Sequence, residues 1–256
     1  MNRGLSRRDL LAGTGAALGA ALMGGTAART ALGAAAGAGS PLWGMAVDVA
    51  RCASVAGCRR CIDACHAAHR VPTIAEARHE VKWVWKEPFA RVFPEQIHTY
   101  EAEAQKQMPV LVLCNHCKNS PCTRVCPTGA TWRRSDGVVA MDEHRCIGCR
   151  YCMAACPYGA RSFNWEKPRP GNSDGNTSNY PARTAGVVEK CNLCVERLDA
   201  GQVPLCVAIC RSAGPAALTF GNLEDANSPL RQLLATRRVL RRRPALGTEP
   251  RVFYLV

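Results

Sequence analysis

The 256-residue chain lacks most signatures of substrate chemistry. It has no G-x-G-x-x-G fingerprint, no P-loop and no nucleophile elbow at a strand-to-helix turn, and no catalytic triad can be assembled from it. No stretch is long and apolar enough to span a bilayer as a helix. Residues 70–110 contain no cysteine, although the chain has sixteen. At about 6% of the residues, that is short of the level that marks a small disulfide scaffold.

All sixteen cysteines fall into four groups of four. The third group is Cys146, Cys149, Cys152 and Cys156 in the run C-x2-C-x2-C-x3-C, with Pro157 directly after it. Three close thiolates can wrap three corners of a [4Fe–4S] cube, and in two-cluster ferredoxins the fourth cysteine reaches the neighbouring cluster. Structural zinc usually takes separated pairs instead. The first group is Cys52, Cys58, Cys61 and Cys65, spaced x5, x2, x3. Asp48-x-x-Arg51-Cys52 repeats Asp142-x-x-Arg145-Cys146, so Cys52 belongs to the set, with the extra residues in a bulge near Gly57. A three-iron cluster with a free Cys52 is the alternative at this site.

The second group is Cys114, Cys117, Cys122 and Cys126, followed by Pro127, and the fourth is Cys191, Cys194, Cys206 and Cys210. Both open on Cys-Asn-x-Cys, so the chain reads as a duplication. A zinc ribbon is the alternative for the fourth group taken alone. Of the six histidines, His116 and His144 flank cysteines, where donation to sulfur or solvation is expected in place of ligation.

The formal charge of +13 invites a nucleic-acid reading. Residues 1–36 carry Arg3, Arg7, Arg8 and Arg29 against Asp9, so the remainder keeps +10. Four oxidised clusters with their thiolates would contribute about −8, so much of the excess is counter-charge for metal. Ser6-Arg7-Arg8-Asp9-Leu10-Leu11 is a twin-arginine pattern followed by a mild apolar run, which predicts a signal segment over 1–36 and export of the folded protein to the periplasm. Clusters assembled before export would keep the thiols from pairing. Val81–Lys86 alternates as a strand, 101–107 reads as a short polar helix, 168–181 as a loop and 217–220 as a closing strand. Arg237-Arg238 and Arg241-Arg242-Arg243 give a basic tail over 226–256, either a solvated face or a contact for anionic lipid or an acidic partner.

The four-group layout, with Trp43–Asp48, Glu80–Lys86, Val112–Cys117, Arg145–Trp165 and Gly247–Pro250, resembles the four-cluster iron–sulfur subunits of membrane-associated oxidoreductases. The flanking segments are most similar to the branch found in DsrMKJOP-type complexes of dissimilatory sulfur metabolism. The resemblance implies an α+β fold of two ferredoxin-like two-cluster modules with long loops. One module (111–184) is inserted in the other (43–110 plus 185–225). It implies four [4Fe–4S] clusters with exchanged ligands: Cys114, Cys117, Cys122 with Cys156; Cys146, Cys149, Cys152 with Cys126; Cys52, Cys58, Cys61 with Cys210; and Cys191, Cys194, Cys206 with Cys65. His66 and Arg211 stand where proline would follow Cys65 and Cys210, which leaves the local turn open. The implied role is a non-catalytic electron relay beside an NrfD-like quinone-reactive membrane subunit and a periplasmic multihaem cytochrome. A subunit of a periplasmic molybdopterin oxidoreductase, such as a polysulfide or tetrathionate reductase, is the alternative. A zinc-bearing module without redox activity is another.

Overall fold

The computed structural model describes residues 40–167, 180–181 and 183–256. The twin-arginine segment and most of the 168–181 loop lie outside the described residues.

The chain enters as β1 (Trp43–Asp48), whose middle four residues are buried. Asp48 then accepts the Arg51 amide at 2.9 Å and caps α1 (Val49–Ala53), followed by α2 (Arg60–Ala68). Next come β2 (Val84–Pro88), α3 (Phe89–Val92), α4 (Glu103–Lys106) and β3 (Pro109–Leu113). A run of short elements carries the middle of the chain: α5 (Pro121–Arg124), β4 (Thr131–Arg133), β5 (Val139–Met141), α6 (Tyr151–Ala154), β6 (Ser162–Phe163) and β7 (Val188–Glu189). The last part holds α7 (Val195–Asp199), α8 (Leu205–Ala213), β8 (Leu218–Asn222), α9 (Pro229–Thr236), β9 (Val239–Leu240) and β10 (Val252–Leu255).

The main sheet has the order β8-β1-β10-β9. β1 is antiparallel to β8 and parallel to β10, with Met45 opposite Val252. An interior strand covered on both faces reads as a nearly continuous apolar run, as Gly44–Val47 does. Residues 226–256, expected as a basic tail, therefore contain an interior strand, and Tyr254 on it is fully buried. Arg237, Arg238 and Arg241 are exposed, but Arg242 is buried with its guanidinium over the Tyr158 ring.

The strand expected over 81–86 begins at Val84, where pairing with β3 starts, and runs to Pro88 opposite Pro109. Residues 81–83 are drawn off the ladder by other partners. The Lys82 amide donates to Ser162 Oγ at 2.8 Å, and Trp83 Nε1 donates to Glu189 at 2.7 Å. The expected short helix and closing strand appear as α4 and β8. The β6–β7 pair joins 162–163 to 188–189, and β2–β3 joins 84–88 to 109–113, so strand pairing crosses the expected module boundaries. One apolar core includes cysteines of the first, second and fourth groups, and a smaller cluster holds Cys122, Cys152, Val139 and Val188.

Candidate iron–sulfur sites

The x3 spacing explains how cysteines from distant segments meet. Residues four apart on a helix lie on one face, one turn apart. In α2 that face presents Cys61 and Cys65, and in α8 it presents Cys206 and Cys210, with the two helices packed together. Cys61 lies beside Cys210 and also beside Cys52 and Cys58. Cys65 lies beside Cys191, Cys194 and Cys206. Each helix thus delivers one sulfur to each of two places.

Two cavities are walled by four cysteines apiece. One is lined by Cys52, Cys58, Cys61 and Cys210, and the other by Cys114, Cys117, Cys122 and Cys156. The stretched first group keeps Cys52 with its set because Asp48 caps a full helical turn there. In the repeat, Asp142 caps only a 3-10 turn over Glu143–Arg145 by accepting the His144 amide. Gly57 takes φ +66° in the intervening turn.

Around the third group, Cys152 lies beside Cys146, and the Val188 amide points at Cys146 Sγ at 3.5 Å. Gly148 sits between Cys146 and Cys149 at φ +70°, and a Cβ there would collide with the Gly186 carbonyl. Cys126 follows α5, which packs on α6, and its sulfur is 3.6 Å from Thr128 Oγ1. Cys126, Cys146 and Cys149 are half-buried, and Ile147 and Tyr151 beside them are 67% and 63% exposed.

The donor set fits iron. Burial, then the neighbouring sulfurs, pushes the Cys61 thiol up to about 12 and the Cys191 thiol likewise, and pushes Cys65 and Cys206 well above their ordinary value. Four thiolates packed together in low dielectric repel one another and need a cationic core between them. Orphaned donors point the same way. Asn115, buried in the Cys114–Cys156 cavity, has no partner for its side-chain nitrogen or oxygen. His116 Nδ1 accepts the Val139 amide at 3.1 Å, leaving Nε2 buried without a partner on a ring that neighbours Cys114. Inorganic sulfide would accept from both. His144 is exposed.

Several buried polar groups at these sites carry no signal in the spacing of the cysteines. His69, 1% exposed, faces the Cys65 carbonyl through Nδ1 and Glu196 through Nε2, each at 2.9 Å. Burial opposes its charge, but acceptors at Cys194 and Glu196 raise it to about 9. Glu189 is fully buried and satisfied by Trp83, Asn164 and Arg183. Lys190 and Arg161 are buried among the cysteines. The only sequence hint for Lys190 is a break in the duplication: Leu113 precedes Cys114, whereas Lys190 precedes Cys191.

Comparison with known proteins agrees with this donor chemistry. Residues 108–172, which span the second and third groups, match the 4Fe-4S dicluster domain family. The chain is 42% identical over 229 residues to the Hdr-like menaquinol oxidoreductase iron-sulfur subunit 1 of Archaeoglobus fulgidus, covering 83% of this chain and 82% of that one. It is 35% identical to a tetrathionate reductase subunit of Salmonella typhimurium, over 85% of this chain and 74% of that protein. It is 33% identical to protein NrfC of Escherichia coli, over 97% and 94% respectively. An iron–sulfur protein of mixed α/β fold, the chain belongs to the family of 4Fe-4S electron-transfer subunits of membrane-associated oxidoreductase complexes.

Proposed function

We propose that the chain conducts electrons through four [4Fe–4S] clusters, held by the exchanged cysteine sets given above, as the periplasmic relay subunit of a DsrMKJOP-type complex. Its partners in this reading are an NrfD-like quinone-reactive membrane subunit and a periplasmic multihaem cytochrome. One observation carries the relay: the four cysteine sets neighbour one another in series. Cys61 of the first set lies near Cys206, Cys191 lies near Cys114, and Cys122 lies near Cys152. Similarity to a menaquinol oxidoreductase subunit supports a quinone-linked complex.

When bound, a [4Fe–4S] cluster takes up and gives back one electron without breaking a bond to carbon. The chain's own residues position and tune. α2 and α8 fix the spacing of the first two sets. Asn115 and His116 hold unpartnered side-chain nitrogens at the Cys114–Cys117–Cys122–Cys156 set, where hydrogen bonds to sulfur would favour the reduced form. Ile147 and Tyr151 form an exposed apolar rim at the half-buried end, the natural place for electrons to leave the chain.

Anaerobic purification with iron analysis and paramagnetic resonance during redox titration tests the reading. The expected result is roughly sixteen irons per chain in four-iron clusters. A folded, competent, iron-free or zinc-bearing protein overturns it. Export is tested by fractionating cells that express Arg7→Lys with Arg8→Lys, which should retain the protein in the cytoplasm. A molybdopterin-dependent assembly is the second reading, favoured by the likeness to a tetrathionate reductase subunit, and co-purification of a large molybdenum subunit would establish it.

A further inference from the structure

Four buried cations, Lys190, Arg161, Arg242 and Arg251, belong to no ion pair among the described residues. Arg242 lies over the Tyr158 ring and Arg251 donates to the Gly137 carbonyl, whereas Lys190 and Arg161 bond to the cysteine segments themselves. Lys190 is 2% exposed, and its ammonium donates to the carbonyls of Val139 and, at 2.8 Å, of Cys191. Arg161 is 4% exposed and donates from Nη2 to Cys122 Sγ at 3.0 Å and Thr131 Oγ1 at 2.8 Å, with Nη1 3.5 Å from Met141 Sδ. Arg183, equally buried, differs in having Glu189 at 2.9 Å. A buried charge is strongly disfavoured unless something of opposite sign faces it. Carbonyls, a hydroxyl and a thioether give only partial charges. What remains nearby is sulfur.

The positions of the two cations are specific. Val139 lines the cavity of Cys114, Cys117, Cys122 and Cys156, so Lys190 joins the wall of that set to the backbone of Cys191 in the next. Arg161 lines the same cavity and grips Cys122, whose neighbour across the seam is Cys152. The remaining junction, Cys61 against Cys206, has no buried cation among the described residues. Lys86 lies on the outer side of the first set and is only half-buried, so solvent screens it. The charge on His69 is offset by Glu196 at 2.9 Å.

We propose that Lys190 and Arg161 are counter-ions seated at two of the three cluster junctions, and that together they make the Cys114–Cys117–Cys122–Cys156 site the strongest electron acceptor of the four. The inference rests on the four-cluster reading above. Adding an electron makes a site more negative by one unit, and a fixed cation in low dielectric favours that state most at the site it touches. Only this site is flanked by both cations. An electron would therefore dwell there, between two poorer acceptors on one side and one on the other.

The alternative is that both cations merely tie strands together. The full chain, purified anaerobically with counted iron, separates the two in a redox titration followed by paramagnetic resonance. In Lys190→Met and Arg161→Met the highest midpoint potential should fall by at least 59 mV, a tenfold change in the reduced-to-oxidised ratio. Lys190→Arg and Arg161→Lys, which keep the charge, should stay near the parent. Cys117→Ser should remove or shift that same highest signal. Lys190→Gln and Arg161→Gln serve if the methionine variants fail to fold, with the same fall expected. Unmoved potentials at full iron content overturn the proposal, as does an equal fall in the charge-conserving variants or a highest signal that survives Cys117→Ser unchanged. Four clusters with unmoved potentials defeat this inference alone, whereas a parent without clusters defeats the underlying reading too.

Discussion

The same x3 cysteine spacing is built in two ways in this molecule. α2 and α8 are nine-residue helices that carry Cys61, Cys65, Cys206 and Cys210 on buried faces. α5 and α6 are single turns of four residues, and Cys126 and Cys156 follow them in half-buried loops. The residue after the last cysteine accounts for the difference. Proline has no amide to give the helix, and it drives the residue before it out of the α region. Pro127 and Pro157 therefore stop their helices before the cysteine is reached. His66 and Arg211 impose no such stop, and the helices run on to Ala68 and Ala213. Helix packing seals the paired cysteines of α2 and α8, whereas Cys126, Cys146, Cys149 and Cys156 stay half-buried.

The largest test of this contrast pairs Cys206→Ser with Cys126→Ser. The first places a hydroxyl at the closed α2–α8 interface and should abolish soluble, iron-loaded protein. The second should leave a folded chain short of roughly four irons by metal analysis. Equal damage from both would erase the distinction between sealed and half-buried cysteines.

A smaller effect is expected at a buried ion pair. Arg183 pairs with Glu189, both almost wholly buried, and its guanidinium lies over Trp83 and Tyr180. Arg183→Met leaves Glu189 uncompensated and should cost about 3–5 kcal/mol in thermal or denaturant unfolding. Trp83→Phe keeps an aromatic ring but removes the indole N–H to the same carboxylate together with some buried ring volume, for a loss of about 1.5–3 kcal/mol. If the two variants proved equal, Arg183 would be acting through the aromatic stack and not through charge. The smallest change is expected at Gly57, left-handed but with open space around it. Gly57→Ala should cost about 1 kcal/mol of stability and leave the iron content of the first site intact.

The cysteine chemistry was legible in the sequence because ligand spacing is local. The duplication made Cys52 readable as a member of its set despite the stretched x5 gap. The sheet was not legible. Val252–Leu255 pairs with Met45–Asp48 from nearly the opposite end of the described chain, and the arginines of 237–243 suggested a basic tail, either a solvated face or a contact for anionic lipid or an acidic partner. The buried charges were equally hidden. Glu189, Lys190, Arg161 and Arg183 sit in short polar stretches that look exposed, and only tertiary packing brings each one to its partners. Proline against histidine or arginine after the last cysteine was visible, and it pointed to the place where the two pairs of helices would differ.

The position of β10 between β1 and β9 has a consequence for biogenesis. Until Leu255 has cleared the ribosome, β1 lacks a neighbour on one edge and Phe93 lacks the Tyr254 ring that packs against it at 5.1 Å. The nascent polypeptide is therefore held back from its finished form until residues 252–255 have been made. Metallocentre assembly factors would meet a chain whose final seam closes last.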